Sequence, residues 1–148
     1  MKRLTLVFCF TTLAQAAPTS KFDAIRGVWI GMACSQNKLS PVMAYKIELS
    51  GSDLHPMFDI LGFAVNGKPI QATPDKIEGA YGKSHGTPGF VFVIKNGNGH
   101  YLFIPVSDNQ ISAMEWDAHD SLTVYVLQRY EGQNLGKFWM QNQNFCGR

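Results

Sequence analysis

The residues best suited to metal chemistry are four histidines, and their spacing brings no two of them together. They are His55, His85, His100 and His119. Each stands beside turn residues, and none forms the i, i+2 or i, i+4 pair that places two ligands on one face of a strand or helix. His119 lies between Asp117 and Asp120, but a solvated turn explains that set better than a bound ion. We therefore expect no metal site and no cofactor.

Candidates for nucleophilic or acid–base catalysis are also sparse. Ser84 and His85 are adjacent in a Gly-rich stretch, residues 82–89, which we interpret as a mobile loop where neighbouring side chains diverge. No nucleophile elbow or triad signature accompanies them. Glu115 and Asp117 share a face of a predicted strand, yet a solvated strand end accounts for them equally well. No catalytic residue is assigned, and we do not expect an enzyme.

The N-terminal residues predict export. A basic start, an apolar run over residues 4–13 and the small-x-small motif Ala14-Gln15-Ala16 are typical of a signal peptide, which we place at residues 1–16. About ten apolar residues are too few to span a membrane, which takes roughly twenty. We expect a secreted or periplasmic protein, cleaved near Ala16, with one domain over residues 17–148.

Charge and cysteine content narrow the function further. Cleavage would remove two of the 13 basic residues and none of the 11 acidic ones. The remaining chain is formally neutral with scattered Lys and Arg, which argues against nucleic-acid binding. The two remaining cysteines, Cys34 and Cys146, are expected to pair in an oxidising compartment. In the chain-entropy account, closing so long a loop stabilises the fold by about 4 to 5 kcal/mol.

Short β-branched and aromatic runs alternate with turn residues, and this pattern predicts an antiparallel all-β domain. Asn66-Gly67 predicts a tight hairpin between apolar runs, and a second hairpin is expected from Phe90–Lys95 and Tyr101–Val106. The other predicted strands are Gly27–Cys34, Ala44–Leu49, Met57–Leu61, Lys76–Tyr81, Ile111–Trp116, Leu122–Arg129 and Lys137–Gln141. Either a barrel or a sandwich accommodates this many short strands.

Gly27-Val28-Trp29 at the start of the first strand, with Arg129 at the end of a late strand, resembles the calycin group. That group includes lipocalins, fatty-acid-binding proteins, avidins and small bacterial metalloprotease inhibitors. The resemblance implies a small antiparallel up-and-down β-barrel, with a β-sandwich as the alternative. It also implies that the Arg129 guanidinium lies across the Trp29 ring at the closed end, a cation–π contact of about 0.5 to 2 kcal/mol.

Three functional hypotheses follow. The first is an exported, non-catalytic protein that holds a small apolar molecule in its barrel, for which our candidate ligand-binding residues are Phe92, Tyr101, Phe103 and Trp116. The second is an inhibitor or interaction module that acts on a secreted hydrolase through a loop or the N-terminal arm, residues 17–26. The third is a small secreted β-barrel enzyme. A filled core with an exposed arm would favour the inhibitor, and an apolar cavity of about 300 Å³ the carrier.

Overall fold

The computed structural model describes residues 20–35, 43–73, 76–94 and 99–147, so the predicted signal peptide, residues 1–16, lies outside them. The strands are β1 (Gly27–Ser35), β2 (Met43–Gly51), β3 (Pro56–Val65), β4 (Lys68–Ile70), β5 (Ile77–Ser84), β6 (Thr87–Val93), β7 (Gly99–Ser107), β8 (Gln110–Asp117) and β9 (Leu122–Arg129). They are followed by helix α1 (Leu135–Asn142) and a short 3-10 turn (Phe145–Gly147).

Eight of the strands close into an antiparallel barrel. The ring runs in chain order, except that β3 passes to β5, and β9 returns to β1 with Trp29 opposite Arg129. β4 lies outside the ring, paired with β3. The predicted up-and-down β-barrel is confirmed, and the sandwich alternative is excluded because β1 and β9 are paired.

Both predicted hairpins are confirmed. Asn66 and Gly67 adopt φ values of 51° and 77°, the left-handed conformation that a type I′ turn requires at both central positions. This turn joins β3 to β4, with Val65 opposite Lys68. The second hairpin pairs β6 with β7, and its connecting residues 95–98 lie outside the described residues.

The predicted strand Lys137–Gln141 is wrong, because this segment belongs to α1. The Asn134 side chain caps the helix by accepting a hydrogen bond from the Lys137 backbone N–H at 3.1 Å. Leu135, Phe138 and Trp139 follow the i, i+3, i+4 spacing of a helical apolar face. They pack on the outer wall of the barrel against Met32, Ala44 and Ala64.

The predicted disulfide bond between Cys34 and Cys146 is present, with the two Cα atoms 5.5 Å apart. Cys34 lies near the end of β1, whereas β9 ends beside the start of that strand. The chain must therefore run back along the wall to reach Cys34. This return is made by α1 and the 3-10 turn and not by the predicted strand Lys137–Gln141.

The interior is filled by aromatic and aliphatic side chains that alternate inward along the strands. We call the end where β1 begins the floor and the end where β1 finishes and β2 begins the mouth. The fully buried large side chains of the interior include Phe22, Phe58, Phe90, Phe92, Phe103, Leu49 and Leu127. The floor is closed by a turn over residues 21–25, from which Phe22 and Ile25 enter the core.

Candidate functional site

Among the residues that the structure describes, a small cavity lies inside the barrel. It measures about 10 Å³, room for about one water molecule. The cavity is lined by Tyr45, Ile47, Phe58, Ile60, Tyr101, Phe103, Ala113, Tyr125 and Leu127. Two of the predicted ligand-binding residues, Phe92 and Phe103, are buried core residues that pack on each other at 5.3 Å between ring centroids. In the described part of the barrel, these two side chains therefore fill interior space.

A larger pocket of about 290 Å³ opens at the mouth, and we call it the mouth pocket. It is lined by Met43, Tyr45, Ile60, Phe63, Ala72, Thr73 and Ile77. The strand pairing explains its position: β3 pairs with β5 only at Met57↔Glu78 and Phe58↔Ile77, and further along β3 pairs with β4 instead. The wall between β3 and β5 is therefore split towards the mouth, and the apolar lining is reachable there.

A polar cluster lies above the aromatic core, and we call it the tyrosine–carboxylate cluster. Tyr101 donates a hydrogen bond to Glu115 Oε1 at 2.9 Å, and Tyr125 donates to Glu115 Oε2. The Tyr45 ring packs edge-on against Tyr125, with centroids 5.3 Å apart. Because Tyr45 also lines the mouth pocket, it connects this cluster to that pocket.

Burial and the Glu115 carboxylate change the titration of these tyrosines. Burial raises the pKa of Tyr101 and Tyr125 above the ordinary 10.0, and the negative charge of Glu115 raises both further. The same two causes raise the pKa of Tyr45. All three phenols are therefore protonated at neutral pH, so Tyr101 and Tyr125 can donate to Glu115. Within the described ranges, the ion pair found is Arg26–Asp23, and none involves Glu115.

The floor has a different chemistry. Trp29 is fully buried, and its indole N–H donates to the Ile25 carbonyl at 2.7 Å. The Arg129 guanidinium carbon lies 4.4 Å from the Trp29 ring centroid. That guanidinium also donates to the carbonyls of Ala24, Arg26 and Asp108 at 2.7 to 2.8 Å. The pair suggested by the calycin resemblance thus lies at the floor, where Arg129 also binds three backbone carbonyls.

Gly27 makes this contact possible. Its φ of 128° is a conformation that side-chain-bearing residues rarely adopt, and a Cβ there would lie 3.0 Å from Arg129 Nη1. The glycine two residues before Trp29 therefore lets Arg129 reach across the ring.

A second polar cluster lies on the outer wall of the barrel. The spacing of the histidines in the sequence does not predict it. Ser84 Oγ lies 2.7 Å from His100 Nε2 and 3.1 Å from His85 Nδ1. Our expectation that the Ser84 and His85 side chains diverge in a loop was wrong, since residues 82–89 are the end of the β5–β6 hairpin. His100 is the second residue of β7, so it lies on a strand. Trp116, expected to bind ligand, faces this cluster, with its centroid 4.5 Å from that of His85.

The remaining sequence candidates have structural roles. Asp117 Oδ1 accepts hydrogen bonds from the backbone N–H groups of His119 and Ser121, at 2.8 and 2.9 Å, which shapes the β8–β9 turn. The Ser121 bond, followed by the His119 bond, lowers the pKa of Asp117. Throughout the described part of the chain, no three His, Cys, Asp or Glu side chains converge on a metal-binding position.

A further pocket of about 320 Å³ lies outside the barrel, between β8, β9 and α1. Amide and hydroxyl side chains make up half of its lining: Ser107, Asn109, Gln110, Gln128 and Asn142. Such a lining suits water better than an apolar molecule. The mouth pocket is therefore the stronger candidate binding site.

The fold and site define a class: a disulfide-linked, closed eight-stranded up-and-down β-barrel with a buried aromatic core and an apolar pocket at its mouth. No protein-family model matches the chain, and no curated protein matches it either. In the residues that the structure describes, no helix is both long and apolar enough to cross a membrane.

Proposed function

We propose that the protein is an exported, non-catalytic binding protein that holds a small, mainly apolar molecule in the mouth pocket. The observation that carries this proposal is the pocket itself, about 290 Å³ of space lined by Met43, Ile60, Phe63, Ile77 and their neighbours. This volume is at the lower end of the range for small-molecule sites. The ligand is therefore small, and it binds above the aromatic core instead of within it.

The lining determines which ligand chemistry fits. Burial against apolar and aromatic side chains stabilises an apolar ligand body by a free energy of about 25 cal/mol for each Å² of its apolar surface removed from water. Thr73 supplies a hydroxyl. The Tyr45 ring contacts Tyr125, which donates a hydrogen bond to Glu115. A ligand with an apolar body and one polar end would use both parts of the site.

The disulfide bond supports export. Bonds such as Cys34–Cys146 persist in oxidising compartments and are rare in the cytosol. The bond ties the mouth end of β1 to the chain after α1, and so it holds the wall beside the mouth.

The inhibitor hypothesis required an exposed arm. Within the described part of the arm, residues 20–26, Phe22 and Ile25 are fully buried and close the floor. Phe22 packs edge-on against Phe90, with centroids 5.1 Å apart. These residues act as a plug, and releasing them to reach into a partner would expose the core. This favours the binding protein over an inhibitor that uses this segment.

The experiment is a titration with N-phenyl-1-naphthylamine, a neutral apolar dye that fluoresces on leaving water. We expect saturable binding to one site, weakened at least about 10-fold by Ala72→Trp, which fills the mouth pocket. The matched control is Ala80→Trp, at an exposed position of β5, which should bind within about 2-fold of wild type. Absence of binding, or equal binding by both variants, would contradict the proposal.

A further inference from the structure

The end of the β5–β6 hairpin folds back over the outer wall. Ser84 is opposite Thr87, at one end of β6, whereas His100 is opposite Val93, at the other end. Six residues of strand span about 20 Å, so a flat sheet could not bring Ser84 to His100. The observed 2.7 Å between Ser84 Oγ and His100 Nε2 therefore requires a bend in the hairpin.

Two glycines are paired near the end of this hairpin. Gly82 pairs with Gly89, just before the last residues of the hairpin. The turn is made by His85 and Gly86, both with positive φ, 48° and 80°. The hairpin end thus carries Ser84 and His85 onto the wall formed by β7 and β8.

The two imidazoles lie side by side on one face of the Trp116 indole. The three rings are nearly parallel, with interplanar angles of 10° to 20°. The His85 and His100 centroids are 4.5 and 5.0 Å from that of Trp116 and 5.6 Å from each other. Rings stacked on opposite faces of an indole would be about 7 Å apart, twice the usual contact distance. Both histidines therefore share one face.

We propose that His85 and His100 form a binding site for a divalent first-row transition-metal ion, Cu²⁺ or Zn²⁺, with the Ser84 hydroxyl as a third donor. His85 Nδ1 and His100 Nε2 both point at Ser84 Oγ, at 3.1 and 2.7 Å. Metal–ligand bonds of about 2.0 to 2.1 Å place neighbouring donors about 2.9 Å apart at right angles and about 3.4 Å apart in a tetrahedron. The two nitrogen–oxygen distances are therefore close to the donor spacings of such a site.

The chemistry of the donors selects these ions. Neutral imidazole nitrogens suit copper and zinc, and among divalent first-row ions copper binds most tightly to such ligands. Two histidines and a hydroxyl leave further coordination positions for water or an external ligand. The site lies on the outer wall, so the inference does not depend on the proposed binding of an apolar molecule at the mouth.

The test is calorimetric titration of the purified, disulfide-bonded protein with CuCl₂ and with ZnCl₂. We expect one ion per chain and a loss of affinity of at least about 10-fold in both His85→Asn and His100→Gln. Asn tolerates the positive φ at position 85, so His85→Asn preserves the turn. His55→Asn and His119→Asn, at exposed positions, are the matched controls and should bind within about 2-fold of wild type.

A fluorescence measurement locates the ion independently. Cu²⁺ held by His85 and His100 would lie next to Trp116 and quench its emission. Trp116→Phe should lose that quenching and still bind Cu²⁺ in the calorimeter. The proposal is overturned if neither ion binds, if His85→Asn and His100→Gln bind as wild type does, or if the quenching persists in Trp116→Phe.

Discussion

The floor and the mouth of the barrel use polar groups in opposite ways. At the floor, the Trp29 indole N–H and three Arg129 donor bonds satisfy backbone carbonyls over a plug of fully buried Phe22 and Ile25. At the mouth, the wall is split beside an apolar pocket, and Glu115 accepts only from phenols among the hydrogen bonds of the described residues. The floor therefore contributes stability, and the mouth offers the pocket in which we propose that a ligand binds.

The disulfide bond should have the largest effect on the difference between floor and mouth, because it links the mouth end of β1 covalently to the chain after α1. Replacing Cys34 and Cys146 together by Ser should lower the free energy of unfolding by about 4 to 5 kcal/mol, as the chain-entropy account gives for a loop of this length. The sequence separation is 112 residues. Urea denaturation measures the effect, and reduced wild-type protein should show a similar loss. A change below about 1 kcal/mol would mean that packing alone holds the mouth.

The floor should be the most sensitive part of the barrel to loss of a side chain. Trp29→Ala removes a fully buried indole and leaves the Ile25 carbonyl without its donor, and we expect a loss of about 3 to 5 kcal/mol. The matched change is Trp116→Ala on the outer wall, where the indole is partly exposed and the loss should be less than half as large. Equal losses in urea denaturation would contradict the assignment of stability to the floor.

Local sequence signals predicted the parts of the fold that depend on neighbours in the chain. Asn66-Gly67 predicted the β3–β4 hairpin correctly, because few residue pairs adopt a positive φ at two successive positions. The helix was missed although its signals were local: Asn134 as cap, and Leu135, Phe138 and Trp139 on one face. Phe138 and Trp139 have a high β propensity, which favours a strand and hides the helical spacing.

The outer-wall cluster could not be predicted from spacing. Ser84 and His100 are 16 residues apart, and they meet only because the end of the β5–β6 hairpin bends back over the outer wall. Nothing local encodes the direction of such a bend. The mouth pocket was equally hidden, since it depends on where β3 changes partner from β5 to β4.

Alkaline pH should weaken the mouth through its tyrosines. Burial, followed by the Glu115 charge, raises the folded-state pKa of Tyr101 and Tyr125 above the value of about 10 in the unfolded chain. The folded state therefore holds its protons longer, so this stabilisation is complete below pH 10 and is lost as pH rises above it. The expected slope is about 1.4 kcal/mol per pH unit for each tyrosine.

Urea denaturation at pH 9, 10 and 11 measures that slope. Tyr125→Phe should flatten it, whereas Tyr81→Phe, at an exposed position, should leave it unchanged. If Tyr125→Phe and wild type lose stability in parallel above pH 10, then Tyr125 titrates normally. The tyrosine–carboxylate cluster would then be open to water, unlike the floor.

The smallest expected effect tests whether the Glu115 charge at the mouth attracts a cationic ligand. Glu115 carries a negative charge beside three tyrosine rings and has no ion pair within the described residues. A ligand cation would gain both the charge and the ring faces. We therefore expect 2-phenylethylamine to bind about 10-fold more tightly than 2-phenylethanol, which corresponds to about 1.4 kcal/mol.

Glu115→Gln separates charge from shape, because its amide oxygen still accepts a hydrogen bond from a phenol while its charge is gone. The variant should bind the amine and the alcohol equally, and the alcohol as wild type does. Competition with the dye gives both affinities under the same conditions. If wild type prefers the alcohol, the mouth is neutral to its ligand and differs from the floor only in packing. If Glu115→Gln keeps the amine preference, another group supplies it.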